Sequence, residues 1–149
     1  MYKRQEYKIP GNDVTDVMVR HDTVWASLRD AGLVRVVNGM AETFTAPPHM
    51  PHTALGVTVD NNGHAWYTTT NGLVRFDARN RSWIHVPVND GRRFKRLSGC
   101  ILTLADGRVA FCADDHLLLF DPGAFNALPD LPEPLLARVS NTWGDLPVD

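Results

Sequence analysis

Residues 60–77 read Asp-Asn-Asn-Gly-His-Ala-Trp-Tyr-Thr-Thr-Thr-Asn-Gly-Leu-Val-Arg-Phe-Asp, and this stretch decides the fold. Asn61-Asn62-Gly63 and Asn71-Gly72 bound two short runs rich in aromatic and β-branched residues. Gly and Asn tolerate the φ > 0 backbone that tight hairpins require, so the pattern predicts strand, turn, strand. The same order recurs upstream as Asp22-Thr23-Val24-Trp25-Ala26-Ser27-Leu28 followed by Gly32-Leu33-Val34-Arg35-Val36. It recurs downstream as Asp106-Gly107-Arg108-Val109-Ala110-Phe111 followed by His116-Leu117-Leu118-Leu119-Phe120-Asp121. Trp25 and Trp66 stand 41 residues apart, Gly32 and Gly72 stand 40 apart, and Gly63 to Gly107 and Phe76 to Phe120 are each 44 apart. A period near 40–45 residues with four short strands per copy marks a propeller blade. Helical repeats of that length would need a 3.6-residue apolar periodicity, which is almost absent here.

Outward from this core the chain reads as all-β. Strands are predicted at 14–20, 23–29, 32–37, 42–45, 54–60, 64–69, 72–77, 82–88, 99–104, 108–113 and 116–120. Trp25 and Trp66 recur at one blade position, where large rings pack between neighbouring sheets. The 149 residues are 44% apolar and 21% charged with a formal net charge of −2, which excludes a disordered tail and a strongly basic nucleic-acid module. No apolar run approaches the roughly 18 residues of a membrane helix, so no direct membrane insertion is expected. The opening Met1-Tyr2-Lys3-Arg4-Gln5-Glu6-Tyr7 lacks the apolar region of a secretory signal.

The pattern Asp-x-x-Gly-x-x-Trp-x-x-Thr, a short gap, then Gly-Leu-x-x-Phe-Asp resembles the repeat of two-component regulator propellers, the periplasmic sensor regions of bacterial hybrid two-component systems. Its structural positions here are Gly63, Trp66, Gly72, Phe76 and Asp77, with Trp25 and Gly32 in the first copy and Gly107, Phe120 and Asp121 in the third. The first copy departs by carrying Arg20-His21-Asp22 where the turn glycine would stand, and the third by Ala110-Phe111 at the Trp position and His116 in place of Gly. The ending Leu119-Phe120-Asp121-Pro122, followed by Leu131-Pro132-Glu133-Pro134-Leu135, resembles the family's last blade and its Pro-rich exit into an Ig-like domain named for three tyrosines. The resemblance implies a non-enzymatic, periplasmic, ligand-sensing segment that recognises carbohydrate. It also implies a division into a partial propeller over 1–131, with repeats at about 10–47, 51–90 and 96–131, and a link plus first strand of a following domain over 132–149. Residues 1–9 would be the outer strand of a preceding blade.

Three copies fall short of the four to eight blades that close a ring. The fold is therefore expected to be an incomplete ring, completed by self-association or by further blades of a parent chain.

His49-Met50-Pro51-His52 places two imidazoles in a Pro-rich inter-blade loop. No Cys or acidic cluster accompanies them, so no metal is expected; a plain connector is the first reading and a ligand-facing loop the functional one. Arg92-Arg93-Phe94-Lys95-Arg96 is the one basic run; the overall charge opposes nucleic acid, its residues read as a solvated inter-blade loop, and the resemblance leaves open contact with an acidic sugar from Arg92, Arg93 and Lys95. Asp114-Asp115-His116 has the composition of a turn. No nucleophile elbow, zinc-protease motif or phosphate loop is present, and no cofactor is expected. A propeller-type lyase or lactonase remains the alternative in the enzyme class, and a pure protein-interaction module the other. Cys100 and Cys112 flank the Ala105-Asp106-Gly107 hairpin. A three-residue loop puts them opposite one another on one face and a two-residue loop puts them on opposite faces. Buried free thiols are the first expectation, and a cross-strand disulfide the second.

Overall fold

The computed structural model describes residues 4–10, 13–88, 96–125, 140–141 and 144–145. Three antiparallel sheets follow one another along the chain. The first holds β1 (Val14–Arg20), β2 (Thr23–Leu28), β3 (Gly32–Val37) and β4 (Met40–Phe44) in sequence order. The second holds β5 (Gly56–Val59), β6 (Ala65–Thr69), β7 (Gly72–Asp77) and β8 (Ser82–Pro87). The third holds β9 (Leu97–Thr103), β10 (Val109–Ala113) and β11 (His116–Phe120), and two short strands, β12 (Ser140–Asn141) and β13 (Gly144–Asp145), extend it beyond β11. These are three propeller blades in an incomplete ring, as the repeat predicts.

Local chemistry sets the hairpins. Asp60 and His64 close a three-residue loop in which Gly63 takes φ 84°, and Leu104 and Arg108 close its counterpart with Gly107 at φ 91°. The first blade lacks this glycine and closes a two-residue turn between Arg20 and Thr23, with His21 at φ 52°. Strand β4 begins at Met40, two residues earlier than predicted, because Asn38 and Gly39 both adopt positive φ and make a tight turn. Pro122–Phe125 forms a 3-10 turn that the sequence pattern did not mark. Residues 4–9 carry no regular secondary structure. Within 132–149 the described pairs Ser140–Asn141 and Gly144–Asp145 bond to the third sheet, and the remainder lies outside the described residues.

The cysteine expectation is corrected. The loop at 105–107 has three residues, so Cys100 and Cys112 lie opposite one another, 5.3 Å apart at Cα, and form a disulfide. Cys100 is exposed rather than buried.

Packing between blades uses the repeated aromatics. Trp25 stacks against Phe44 at 6.0 Å and meets Phe76 of the second blade edge-on at 6.5 Å. Trp66 meets Phe120 of the third blade at 4.9 Å. Each tryptophan thus faces the next blade, inside a cluster of buried side chains. Truncation of such a ring costs about 3–5 kcal/mol.

The inner strands converge, and β5 has a free backbone edge between β1 and β9. Side chains satisfy that edge in place of a ladder. Asp16 accepts from Val57 N at 3.0 Å, Thr15 donates to Ala54 O at 2.7 Å, and Val59 O accepts from both Arg20 Nη1 at 2.7 Å and Thr103 Oγ1 at 2.8 Å. Backbones approach so closely here that a methyl group on Gly56 would overlap the Gly99 carbonyl, and one on Gly99 would lie 2.7 Å from Leu55 O.

Candidate functional site

Strands β1 and β5 run the same way, since Thr15, Asp16 and Arg20 reach Ala54, Val57 and Val59 in that order. The antiparallel meander therefore gives the stack two ends. One carries the connections between blades and the β2–β3 and β6–β7 hairpins. The other carries the β1–β2, β5–β6, β3–β4 and β7–β8 turns.

The first end holds His49 and His52. Pro47 O accepts from Met50 N at 2.9 Å, making a turn that leaves His49 exposed. His52 is half-buried. Two anchors fix the loop: Met50 packs on the apolar cluster between the first two blades, and Tyr67 Oη donates to Pro51 O at 2.9 Å. Burial pushes the Tyr67 hydroxyl well above the usual phenol range, so it stays a donor. Arg92, Arg93 and Lys95, in the connection between the second and third blades, lie outside the described residues.

At the opposite end, a cleft of about 310 Å³ opens between the first two blades and is lined by Arg20, His21, Arg35, Asn61, Asn62 and Arg79 among others. Arg20 is held by Val59 O and, at 2.7 Å, by Asn61 Oδ1. Arg35 lies over the Trp25 ring at 5.7 Å and the Phe44 ring at 5.3 Å, and it donates to Glu42 at 2.8 Å. Hydrogen bonds from Arg81, and from Arg35 beside it, hold the Glu42 carboxyl below its ordinary range against the opposing effect of burial. Sequence reasoning missed this cleft. One signal was available: Gly-Leu-Val-Arg occurs at 32–35 and again at 72–75, and Arg75 lies over Trp66 at 6.0 Å as Arg35 lies over Trp25.

The Asp60 carboxylate explains why the repeat joins Asp and Trp at a spacing of six. Its Oδ1 accepts from the backbone of Asn62 at 2.9 Å and His64 at 3.0 Å, which closes the turn. Its Oδ2 accepts from Trp66 Nε1 at 2.8 Å and lies 3.2 Å from His64 Nδ1. In the third copy Leu104 and Ala110 replace the pair together. His64 Nε2 lies 3.7 Å from Asp77, whose carboxyl is raised by burial but lowered further by hydrogen bonds from Arg79 and Asn80, for a net fall. Among the described residues no three His, Cys, Asp or Glu side chains gather as metal ligands would. His116 sits 2.6 Å from Asp115 on the surface.

Several solved structures share this architecture. The chain is similar to the extracellular domain of the putative hybrid two-component system BT3049 from B. thetaiotaomicron, at 19% identity and a TM-score of 0.65 over 82% of this chain and 17% of that one. The extracellular domain of the putative one-component system BT4673 from the same organism matches at 16% identity and a TM-score of 0.64, over 93% and 19%. A catalytically inactive virginiamycin B lyase from Staphylococcus aureus, solved with quinupristin, matches at 17% identity and a TM-score of 0.66, over 80% and 42%. No protein-family model and no curated protein matches the chain. The fold defines the class: a segment of propeller blades, of the architecture seen in these extracellular domains and in the lyase. The chain spans less than a fifth of these extracellular domains and 42% of that lyase chain. No helix among the described residues is long and apolar enough to cross a membrane.

Proposed function

We propose that this chain is a non-enzymatic, ligand-sensing propeller segment of a two-component signalling regulator, that it works outside the cytoplasm, and that its ligand is a carbohydrate. The observation that supports this reading is the match of its three blades to the BT3049 extracellular domain over 82% of the chain, together with the Asp-Gly-Trp and Gly-Leu-Phe-Asp repeat. Contacts come from the end that carries the inter-blade connections, from His49 and His52 and from Arg92, Arg93 and Lys95. An imidazole half-buried in a fixed loop presents a hydrogen-bonding edge to sugar hydroxyls, and the guanidinium and ammonium groups suit a sugar carboxylate.

Titration calorimetry with a panel of neutral and uronic-acid oligosaccharides tests the proposal. Saturable binding of at least one sugar is expected, weakened tenfold or more in the double variant His49→Ala/His52→Ala or in the triple variant Arg92→Ala/Arg93→Ala/Lys95→Ala. Absence of binding across the panel, or unchanged affinity in both variants, overturns it. The match to virginiamycin B lyase favours a second reading, a propeller-type lyase. Turnover of quinupristin by the chain supplemented with divalent cations would establish that reading in its place.

A further inference from the structure

The first blade departs from the repeat at its first hairpin, and the departure reverses the charge around one arginine. By register Arg20 and Thr23 stand where Asp60 and His64 stand in the second blade, and Val37 stands where Asp77 stands. Burial pulls the Arg75 guanidinium below its ordinary value, and the carboxylates of Asp60 and Asp77 oppose that pull. Arg35, the counterpart of Arg75, meets an arginine and a valine at those two positions. Its acid is Glu42, at 2.8 Å, and Glu42 also pairs with Arg81 at 2.6 Å. One carboxylate thus serves two guanidinium groups, and Arg20 adds a third positive charge.

The cleft of about 310 Å³ between the first two blades collects this excess. Arg20, Arg35, Arg79 and His21 line it, and among the described residues that do so none is acidic. Arg20 is half-buried, and its two acceptors, Val59 O and Asn61 Oδ1, are both neutral. A guanidinium drawn partly out of water usually has a carboxylate beside it. Among the described residues the Arg79 guanidinium has no hydrogen-bond or ion-pair partner, although Asp77 Oδ1 holds the Arg79 backbone N–H at 2.9 Å. Two of the three forks are in place before any ligand arrives: Arg20 through its two acceptors, and Arg35 through Glu42 and the Trp25 and Phe44 rings. Donors held in this way lose little freedom on binding.

Size and direction select the ligand. Small-molecule sites run from about 300 to 1,000 Å³, so the cleft suits a small ligand with one charged head. The three arginines enter from strand β1, strand β3 and the β7–β8 turn. A planar carboxylate matches one guanidinium fork in its own plane, whereas a tetrahedral oxyanion offers acceptor oxygens in several directions at once. We infer that this cleft binds a tetrahedral oxyanion, phosphate or sulfate, free or as the head of a small monoester, with Arg20 and Arg35 of the first blade and Arg79 of the second as its cationic donors. The bound anion bridges the two blades. This inference does not depend on the carbohydrate reading.

Titration calorimetry on the full chain with inorganic phosphate, inorganic sulfate and phenyl phosphate, at about 0.15 M sodium chloride, tests it. Saturable binding of at least one probe is expected, with shifts of the Arg20 and Arg79 Nε–H resonances in nuclear magnetic resonance spectra. Arg79→Gln removes a side chain that has no partner to lose among the described residues, so native circular dichroism and about tenfold weaker binding are expected. Arg108→Gln removes the same charge from the third blade and leaves the affinity unchanged. Tighter binding of phenyl phosphate than of inorganic phosphate assigns a monoester and the reverse order the free ion; either order upholds the site. Absence of binding by all three probes, equal losses in the two variants, or unmoved Nε–H resonances overturn it. Binding of poly-glutamate alone also overturns it and assigns the cleft to an acidic protein segment.

Discussion

Asp60→Asn changes one oxygen to an amide and keeps the side-chain volume, which isolates the role of the Asp60 carboxylate. If the remaining oxygen keeps the turn amides of Asn62 and His64, the new NH₂ points at the Trp66 indole N–H, donor against donor, in a fully buried position. A hydrogen bond to a charged group contributes about 1.5–3 kcal/mol, and a buried donor left without an acceptor costs about 1–3 kcal/mol. The expected loss is about 3 kcal/mol, a large share of the roughly 5–15 kcal/mol that holds a domain folded. At this chain length it corresponds to a fall of roughly 6–12 °C in Tm. Urea unfolding, followed by tryptophan fluorescence and circular dichroism at fixed protein concentration, reads it directly. Trp66→Phe supplies the control: on that background the conflict with the indole disappears, so Asp60→Asn costs at least about 1 kcal/mol less. Unfolding midpoints within about 0.5 kcal/mol of the parent, or additive losses in the double variant, would refute the coupling of turn to tryptophan.

Further outcomes follow from other contacts. Gly56→Ala drives a methyl group into the Gly99 carbonyl and forces the inner strands apart, so a loss of about 1–3 kcal/mol, or insoluble protein, is expected; a neutral result in chemical denaturation would contradict the close approach. Reducing the Cys100–Cys112 disulfide, which spans 12 residues, lowers stability by about 3 kcal/mol on loop entropy, and parallel urea curves with and without reductant measure it. Tyr67→Phe frees the Pro51 carbonyl and costs about 0.5–1.5 kcal/mol, and hydrogen exchange of residues 49–55 should rise in the same variant. Burial pulls the His85 imidazole below its ordinary value. The unfolded chain then takes up the proton first as pH falls, so this group's contribution is complete above about pH 6.5 and declines below it. Melting curves from pH 7.5 to 5.5 should therefore fall more steeply for the parent than for His85→Gln, and equal slopes would exclude the effect.

The blades were legible because their determinants are local. Positive-φ turns at Gly63 and Gly107 and alternation between faces fix each hairpin without reference to distant residues. The repeat spacing then carried the blade count, and recurrence carried the burial of Trp25 and Trp66. The site was far less legible. The loop that holds His49 and His52 could be recognised from its prolines, but its anchoring by Tyr67 and Met50 depends on how two blades meet. Arg20, Arg35 and Arg79 form no run in the sequence and come together only when the first two blades stack.

By itself, then, the sequence determined the strands, the turns, the three blades and the apolar faces, since each follows from backbone preference and side-chain alternation over a few residues. Only the tertiary structure decided which strand contacts are satisfied by side chains and where two backbones touch, as at Gly56 and Gly99. It also decided that the two cysteines face one another. These depend on register and on the approach of separate sheets, and a change of one residue in a loop turns every side chain of a strand to the other face.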